Sequence, residues 1–427
     1  NHLDLDMRHA LTVALQSFQG ALIVVSHDRS LLEATTDGFV FMHEQRLHHF
    51  DGDLNDYRLW RLQQEQLLRE QQRWQHLQEQ MRPAPEARLG EATAPLAAFS
   101  LSQAESPCFA VQEIRLVGEA AGTFQFALKQ ALAESGFAPG MCLGAQGINH
   151  IMALAQNALI AKGYTTTRIL AAPQNLAGGV LTLTVMPGRI GKIRIEAADD
   201  PTRTAGRIAS FQNEFPLSDG QILNLRALEQ GLENLKRVPT ADADIQITPA
   251  EGPDVEPGQS DLMITYQKIN PLRLNVALDN GGTKSTGKVQ GTGTVSWDNP
   301  LGLNDLMYFS FGGGMGNGGN RGTETRAAQY SVPLGYWLAA LSGSYNKYHQ
   351  GVAGAYQNYT YSGESSNLDF KLSRVVFRNA SSKTTVGIKA FQRTSNNYID
   401  DVEIDVQRRR TSGFELSLNH INGCSCL

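Results

Sequence analysis

Residues 220–239 read GQILNLRALEQGLENLKRVP, and this stretch decides how the chain folds. Leu225, Leu228, Leu232 and Leu235 recur at spacings of three, four and three residues. This spacing places the four leucines on one face of an α-helix, and the other positions are mostly polar. The stretch contains no nucleophile with a base, no metal-ligand cluster and no phosphate-binding loop. It therefore predicts a helix that packs one apolar stripe against a sheet and takes no part in catalysis.

The stretch belongs to the second of two units that share one order of elements: a strand, two helices and two strands. Alternating apolar positions predict strands, and apolar positions three and four apart predict helices. In the first unit the expected elements are strand 109–118, helices 124–133 and 148–159, and strands 166–172 and 180–186. In the second unit they are strand 190–196, a helix near 204–213, the leucine helix, and strands 242–248 and 261–266. Each unit is an α+β domain.

After residue 270 the chain alternates apolar and polar residues over many short segments, as in the run Leu272, Leu274, Val276 and Leu278. The pattern predicts strands with one apolar and one polar face. We expect eight or nine of them, near residues 272, 289, 307, 328, 341, 359, 372, 388 and 416. A soluble β-sandwich has the same alternation. Segment lengths of about 9–11 residues and aromatic residues near segment ends favour a transmembrane β-barrel.

Several phrases of the sequence resemble one family. Cys142-Leu143-Gly144, Gly163-Tyr164 and the segment 235–239 in the two units are similar to POTRA domains of the ShlB type. Segment 297–305, which reads WDNPLGLND, is similar to a barrel segment of the same two-partner secretion transporters, the ShlB/FhaC/HecB group. The resemblance implies α+β POTRA domains followed by a partial antiparallel transmembrane β-barrel, with a short α/β fragment at the N-terminus. The family barrel has sixteen strands, so the resemblance implies the N-terminal half of one.

The N-terminal part has a different composition, since seven of the ten histidines precede residue 77. Asn1-His2-Leu3-Asp4 and the segment 20–29, which reads GALIVVSHDR, resemble the tail of an ABC-F ATPase. The resemblance makes His27 a vestigial switch histidine. The chain has no G-x-x-x-x-G-K-[ST] loop to hold phosphates. We therefore expect an inactive remnant, no bound nucleotide or other cofactor, no metal site and no enzyme activity.

These patterns divide the chain into six parts. Residues 61–82 are rich in Gln, Arg and Glu and predict a polar helix, which the resemblance makes a plug inside the barrel and which otherwise reads as a short coiled coil. Residues 83–107 contain Pro83, Pro85 and Pro95 and predict a linker. The expected order is ATPase-like remnant 1–60, helix 61–82, linker 83–107, first POTRA domain 108–187, second POTRA domain 188–268 and barrel half 269–427.

The resemblance implies a function without catalytic residues. The POTRA domains would capture an unfolded exoprotein that carries an N-terminal secretion domain, and the barrel in the outer membrane would conduct it. Capture by strand addition at an exposed sheet edge gives main-chain affinity. The candidate edges are residues 261–266 and residues 180–186, of which the expected docking residues are Val180, Leu181, Thr182, Leu183, Thr184 and Val185. The expected partners are this exoprotein and outer-membrane lipid; a net charge of −5 argues against nucleic acid. Two alternatives stay open, an Omp85-type insertase and a non-functional fusion fragment.

Cys108 and Cys142 are the two cysteines that precede the extreme C-terminus, and both fall in the first POTRA-like unit. In the periplasm that the resemblance implies, which is oxidising, they are candidates for one disulfide. Two reduced thiols are the alternative.

Overall fold

The computed structural model describes residues 105–422 except 198–199, 205–214, 254, 269, 284–285, 316–320 and 354–356. Before residue 105 it describes residues 5–50 except 19, 21, 26–28 and 44–45, and also residues 54, 56, 57, 60, 61, 64, 68, 72, 87, 89 and 101. The chain forms two compact units, Asn1–Arg82 and Pro83–Leu427. No helix among these residues is long and apolar enough to cross a membrane.

Over residues 5–50 of the first compact unit, the described residues form two helices and one hairpin. They are α1 (Leu5–Gln16), α2 (Arg29–Thr35), β1 (Phe39–His43) and β2 (Arg46–Phe50). The two strands pair antiparallel, and the rings of Phe41 and Trp60 meet with their centroids 4.6 Å apart. The predicted switch histidine, His27, lies outside the described residues, as does most of the helix predicted over 61–82.

The second compact unit begins with an α/β domain. Its elements are β3 (Phe109–Val111), β4 (Glu113–Gly118), α3 (Ala121–Ser135), β5 (Met141–Leu143), α4 (Ala145–Ala161), β6 (Arg168–Leu170) and β7 (Val180–Met186). The sheet has the order β4-β7-β6, with β4 parallel and β6 antiparallel to β7, and β3 pairs separately with β5. The apolar faces of α3 and α4 cover this sheet, with Phe124, Ile151 and Leu183 fully buried.

A second α/β domain follows with the same plan. Its elements are β8 (Arg189–Ala197), β9 (Asp200–Thr204), α5 (Leu225–Lys236), β10 (Ala241–Pro249) and β11 (Gln259–Lys268). The sheet order is β10-β11-β8-β9. The four leucines of α5 are 0–4% exposed and pack in the apolar core of this domain, as the spacing predicts. The helix predicted near 204–213 is wrong at its first residue, since Thr204 ends a strand, and its other positions lie outside the described residues.

The two α/β domains are tied together where one helix ends and the next begins. Gly163 follows α4 with a φ of 89°, and its carbonyl accepts from the Leu225 N–H at 2.8 Å. The Asn224 side chain accepts from the Arg226 N–H at 2.9 Å, which caps α5, and donates to the Lys162 carbonyl at 3.1 Å. A Cβ at position 163 would lie 2.9 Å from Asn224 Oδ1, so the close approach and the positive φ both favour glycine.

The remainder of the described chain is one antiparallel sheet, called the barrel sheet. Its strands are β12 (Leu272–Asp279), β13 (Gln290–Asp298), β14 (Leu306–Gly314), β15 (Gly322–Leu334), β16 (Trp337–Ala353), β17 (Asn358–Arg378), β18 (Ser382–Ile399), β19 (Val402–Glu403) and β20 (Arg409–Asn422). Neighbours in sequence pair from β12 to β19, and β20 also pairs with β18.

Strand lengths in the barrel sheet depart from the sequence prediction. The segments near residues 359 and 372 form one strand, β17, of 21 residues. The polar run 362–367, which reads SGESSN, resembles a turn in the sequence, but both neighbouring strands pair along it. Cross-strand hydrogen bonds from Tyr345 and Tyr398 to Glu364 stabilise this extension. The sequence signal fails because these partners are distant along the chain.

Candidate functional site

Helix α5 is buried on its polar face as well as on its leucine face. Arg226, Glu229, Gln230 and Asn234 are all at most 6% exposed. Sequence analysis missed these residues, because a polar helix face normally meets solvent. The polar face of α5 instead packs against the turns at one end of the barrel sheet. The helix is therefore the element that joins the second α/β domain to the barrel sheet.

The centre of this contact is a group of charged side chains, Glu229, Glu233, Arg378 and Lys383, called the junction cluster. Arg378 ends β17, and its guanidinium contacts Glu229 Oε2 at 3.2 Å and Glu233 Oε2 at 2.6 Å. Lys383, at the start of β18, pairs with the other oxygen of Glu233. Arg378 is 5% and Glu229 is 1% exposed at the side chain. These charges are buried, and each negative group has a positive partner. Removing one partner would therefore leave a buried charge that is not fully compensated.

The junction cluster perturbs the protonation of Glu233. Burial by itself would raise the pKa of this carboxyl group, but the charge of Lys383 and its hydrogen bond, together with those of Arg378, outweigh that effect. The pKa of Glu233 is therefore lowered, and the group stays ionised in the folded protein.

A second set of contacts lies at the C-terminal end of α5. Asn234 Nδ2 donates to the Gly335 carbonyl at 2.8 Å, in the turn between β15 and β16. Arg237 donates to the Ser331 carbonyl at 3.3 Å and also to the Ser331 hydroxyl. Burial lowers the pKa of Arg237 to about 10, although the negative charge of Asp305 opposes the shift. The side chain thus remains cationic at neutral pH.

The linker before the first α/β domain also reaches this contact. The Leu89 N–H donates to Glu229 Oε1 at 3.0 Å, and Arg378 Nη2 donates to the Ala87 carbonyl at 2.7 Å. Ala87 is 8% exposed and belongs to the apolar core of the second α/β domain, against which Leu89 also packs. Glu229 and Arg378 of the junction cluster therefore bind the linker backbone in addition to pairing with each other.

The predicted docking strand, residues 180–185, is not a sheet edge, and that part of the prediction is wrong. These residues form β7, which lies between β4 and β6. The other candidate edge, residues 261–266, belongs to β11, which lies between β10 and β8, so it is not an edge either. Beyond the end of β6, the amide of Gln174 exchanges two hydrogen bonds with the Thr182 backbone, at 2.7 and 2.8 Å. The main-chain groups of Val180, Leu181, Thr182, Leu183, Thr184 and Val185 are thus largely engaged within the domain. In the three- and four-stranded sheets of the two domains, the described strands at an edge are β4, β6, β9 and β10.

Strand β10 is the longest of these edge strands. The Ala241 N–H donates to the Val238 carbonyl and the Ala243 N–H donates to the Asp242 side chain, so both point away from β11 and are engaged. By the alternation of a strand, the N–H groups of Ile245 and Ile247 point the same way. The side chains alternate, with Ala243 and Ile245 buried and Asp244 and Gln246 exposed. The strand has nine residues, enough to pair with an extended segment.

The two cysteines singled out from the sequence lie side by side in the structure. The sulfur atoms of Cys108 and Cys142 are bonded, with the Cα atoms 5.3 Å apart, within the usual range for a disulfide. The bond lies beside the short β3–β5 ladder, where Ala110 is in register with Cys142. Across the residues that the structure describes, no group of three or more His, Cys, Asp or Glu side chains is arranged to hold a metal ion.

The two faces of the barrel sheet differ in chemistry. One face exposes a continuous apolar surface, to which the edge strands contribute Leu274 and Leu416 at 73% and 79% exposure. The opposite face carries hydrogen-bonded polar groups, such as Tyr308 to Gln329 at 3.1 Å and Tyr348 to Asn397 at 3.1 Å. An apolar outer face and a polar inner face are what a lipid-embedded barrel requires.

Comparison with known proteins identifies the two domains and the sheet. Profiles for POTRA domain, ShlB-type, and for POTRA domain match residues 109–188 and 189–249, and that for haemolysin secretion/activation protein ShlB/FhaC/HecB matches 258–424. The outer membrane transporter CdiB-2 of Burkholderia pseudomallei is 33% identical over 334 residues, 75% of this chain and 55% of that protein. CdiB from Acinetobacter baumannii superposes with a TM-score of 0.72 at 32% identity, over 84% of this chain and 66% of that chain.

The N-terminal segment has a separate relative. It is 62% identical over 60 residues to the probable ATP-binding protein YheS of Escherichia coli, which is 14% of this chain and 9% of that protein. The chain as a whole spans a little over half the length of the curated transporters it matches. Residues 109–424 belong to the ShlB/FhaC/HecB family of haemolysin secretion/activation proteins, a family of outer-membrane transporters with periplasmic POTRA domains.

Proposed function

We propose that this chain acts in two-partner secretion, moving an unfolded exoprotein of the haemolysin or adhesin type across the outer membrane. The POTRA domains bind the exoprotein in the periplasm, and the barrel conducts it along its polar inner face. The chain is a transporter and not an enzyme in this proposal, and the segment similar to YheS contributes no catalysis. The two-faced barrel sheet, joined to tandem POTRA domains through buried contacts of α5, is the observation that carries the proposal.

Successive side chains of a strand point to opposite faces of the sheet, so two adjacent residues can test conduction. Leu341 is exposed on the outer face of β16, and Ser342, the next residue, is on the inner face. A photo-crosslinking amino acid in place of Ser342 is expected to capture an exoprotein stalled during export, because the inner face contacts the passing chain. The same amino acid in place of Leu341 is the matched control and is expected to capture lipid instead. Equal capture of exoprotein at both positions, or capture at Leu341 alone, contradicts conduction through the barrel.

We further propose that the exoprotein is captured by strand addition at an edge of a POTRA sheet. The edge of β10 replaces the strand expected from the sequence, because β7 is paired on both sides whereas β10 is an edge strand on which the N–H groups of Ile245 and Ile247 point outward. Main-chain hydrogen bonds make such binding tolerant of sequence, which suits an unfolded partner.

Capture at β10 is tested by crosslinking at two residues in one cross-strand row. Gln246 on β10 is in register with Met263 on β11, one strand further into the sheet. A photo-crosslinking amino acid at Gln246 is expected to capture the exoprotein several times more efficiently than one at Met263. Efficient secretion with no capture at Gln246 places the binding site elsewhere. The result of the conduction experiment does not depend on this outcome.

A further inference from the structure

We propose that Glu229 and Arg378 form a binding site for the backbone of an extended peptide, which the Ala87 carbonyl and the Leu89 N–H of this chain occupy and for which an extended segment of the exported protein competes. The competition rests on the proposed function, whereas the site itself does not. The ligand class is an extended chain with a small residue at the position of Ala87 and an apolar residue at the position of Leu89.

The two bonds of the site reach a carbonyl and an N–H two residues apart, which is the spacing of main-chain groups that point to one side of a strand. Glu229 Oε1 accepts from the Leu89 N–H at 3.0 Å, and Arg378 Nη2 donates to the Ala87 carbonyl at 2.7 Å. A carboxylate and a guanidinium thus take the places of the C=O and N–H of a neighbouring strand. Both bonds involve an ionised partner, which makes them stronger than bonds between neutral groups. Because they go to backbone, they select for an extended conformation and not for a particular sequence.

Apolar packing adds a size limit on either side of these bonds. Ala87 is 8% exposed and sits in the core that includes Ile190, Phe215 and Leu228. A close-packed core excludes a larger side chain at this position unless its neighbours move. Leu89 packs at the border of the same core. The site therefore recognises a small residue followed, two positions later, by an apolar one.

The site stays electrically balanced when its occupant leaves. Glu229 Oε2 contacts Arg378 at 3.2 Å, and Glu229 Oε1 also accepts from Arg226 at 2.7 Å. Arg378 keeps Glu233 at 2.6 Å and Gln230 at 3.2 Å. Departure of the linker removes one hydrogen bond from each group and leaves no buried charge without a counter-charge. Exchange for another extended segment restores the same two bonds, so the exchange is close to neutral in hydrogen bonding.

The linker has an advantage over a separate peptide because it is part of the same chain. A short tether gives an effective concentration on the order of millimolar, so a free peptide competes poorly until the linker is weakened. Leu89→Pro weakens it selectively, since proline has no N–H to donate to Glu229. Leu89→Ala is the matched control, because it loses the side chain but keeps the N–H.

The experiment measures binding of a fluorescent peptide with the sequence of residues 84–92, APEARLGEA, to the purified chain by fluorescence anisotropy. We expect the peptide to bind the Leu89→Pro chain at least about tenfold more tightly than the unsubstituted chain, with the Leu89→Ala chain in between. The same peptide carrying proline at its leucine is expected to bind the Leu89→Pro chain at least about tenfold more weakly. These factors correspond to about 1.4 kcal/mol or more.

Two results would overturn the site. One is a Leu89→Pro chain with unchanged circular dichroism that binds neither peptide. The other is equal binding of both peptides. Adding Arg378→Lys, which keeps the charge but loses the planar fork, must also weaken binding.

Unlabelled nine-residue peptides that tile the exoprotein's N-terminal secretion domain test the competition. At least one is expected to displace the labelled peptide, and displacement by none refutes competition by the exported protein. Peptide exchange in a chain that secretes no exoprotein refutes the proposed function and leaves the site intact. Secretion by a chain that does not exchange peptide refutes the peptide site and leaves the proposed function intact.

Discussion

At the scale of single residues, Arg378 joins more elements of the structure than its sequence context indicates. It follows a run of strand residues and precedes Asn379, so nothing local marks it as buried. Its guanidinium donates four hydrogen bonds, three to side chains of α5, two of them carboxylates, and one to the linker backbone. Leucine spacing predicts the apolar face of α5 well because that signal is local. The partners of its polar face lie about 150 residues away along the chain, and one sequence contains no signal for them.

Removing Arg378 should destabilise the junction strongly. Arg378→Ala removes one positive partner from both Glu229 and Glu233, which keep Arg226 and Lys383 respectively, and the loss of a partner from a buried charge costs up to about 3–5 kcal/mol. Urea unfolding of the detergent-solubilised chain measures the change in the free energy of unfolding. Arg115→Ala is the matched control, since Arg115 pairs with Glu113 in solvent and should give no measurable change. Similar effects for the two variants would contradict a buried junction.

The junction should also weaken in acid. The pKa of Glu233 is lower in the folded than in the unfolded chain, so its contribution to stability is present above the unfolded pKa, about 4.3. That contribution is lost as pH falls through the folded pKa. Hydrogen exchange of α5 at a series of pH values from 6 to 3 should therefore accelerate, after correction for the intrinsic rate, below about pH 4. Glu233→Gln should flatten this dependence, and an unchanged slope would assign the acid sensitivity to other groups.

At the scale of elements, the sequence predicts most helices and strands to within a few residues but not their order in a sheet. The strand expected over 180–186 is β7 to the residue, and the leucine helix is α5. Expecting β7 at an edge was wrong, because the third strand of each POTRA unit inserts between the first and second. Strand order depends on contacts between distant segments, whereas alternation within a strand is visible locally.

Helix α5 approaches its neighbour so closely that one glycine is required. A Cβ at Gly231 would lie 2.3 Å from two ring carbons of Phe215. Gly231→Ala should therefore destabilise the second POTRA domain by about 1–3 kcal/mol through overpacking, despite the better helix propensity of alanine. Gly122 in α3 has no atom within 4 Å of the same position. Gly122→Ala is the matched control and should stabilise by up to about 1 kcal/mol in the same urea titration.

The bond between Cys108 and Cys142 should stabilise the first POTRA domain. It closes a loop with a sequence separation of 34 residues, which the chain-entropy model values at roughly 3–4 kcal/mol. Replacing both cysteines with serine should lower the urea midpoint by a corresponding amount. Dithiothreitol should lower the midpoint of the unsubstituted chain and leave that of the double variant unchanged. A reductant effect on both proteins, or on neither, would exclude this disulfide as the cause.

At the scale of the whole molecule, two α+β domains and a two-faced sheet are the parts on which the proposed export of an extended chain depends. The outer face of the barrel sheet is apolar and its inner face is polar, which suits lipid on one side and a hydrated passage on the other. Sequence analysis predicts this alternation and the POTRA plan. It does not predict the linker bound between α5 and β17, because Ala87 and Leu89 have no periodic pattern around them.

Export of the exoprotein tests the central claim most directly. Cells that make the exoprotein and this protein should release the exoprotein into the medium, as measured by immunoblotting of medium and periplasm. Cells without this protein should retain it in the periplasm. Arg378→Ala, which breaks the junction between the second POTRA domain and the barrel, should reduce release at equal amounts of protein in the outer membrane. Release that is the same with and without this protein would contradict the account.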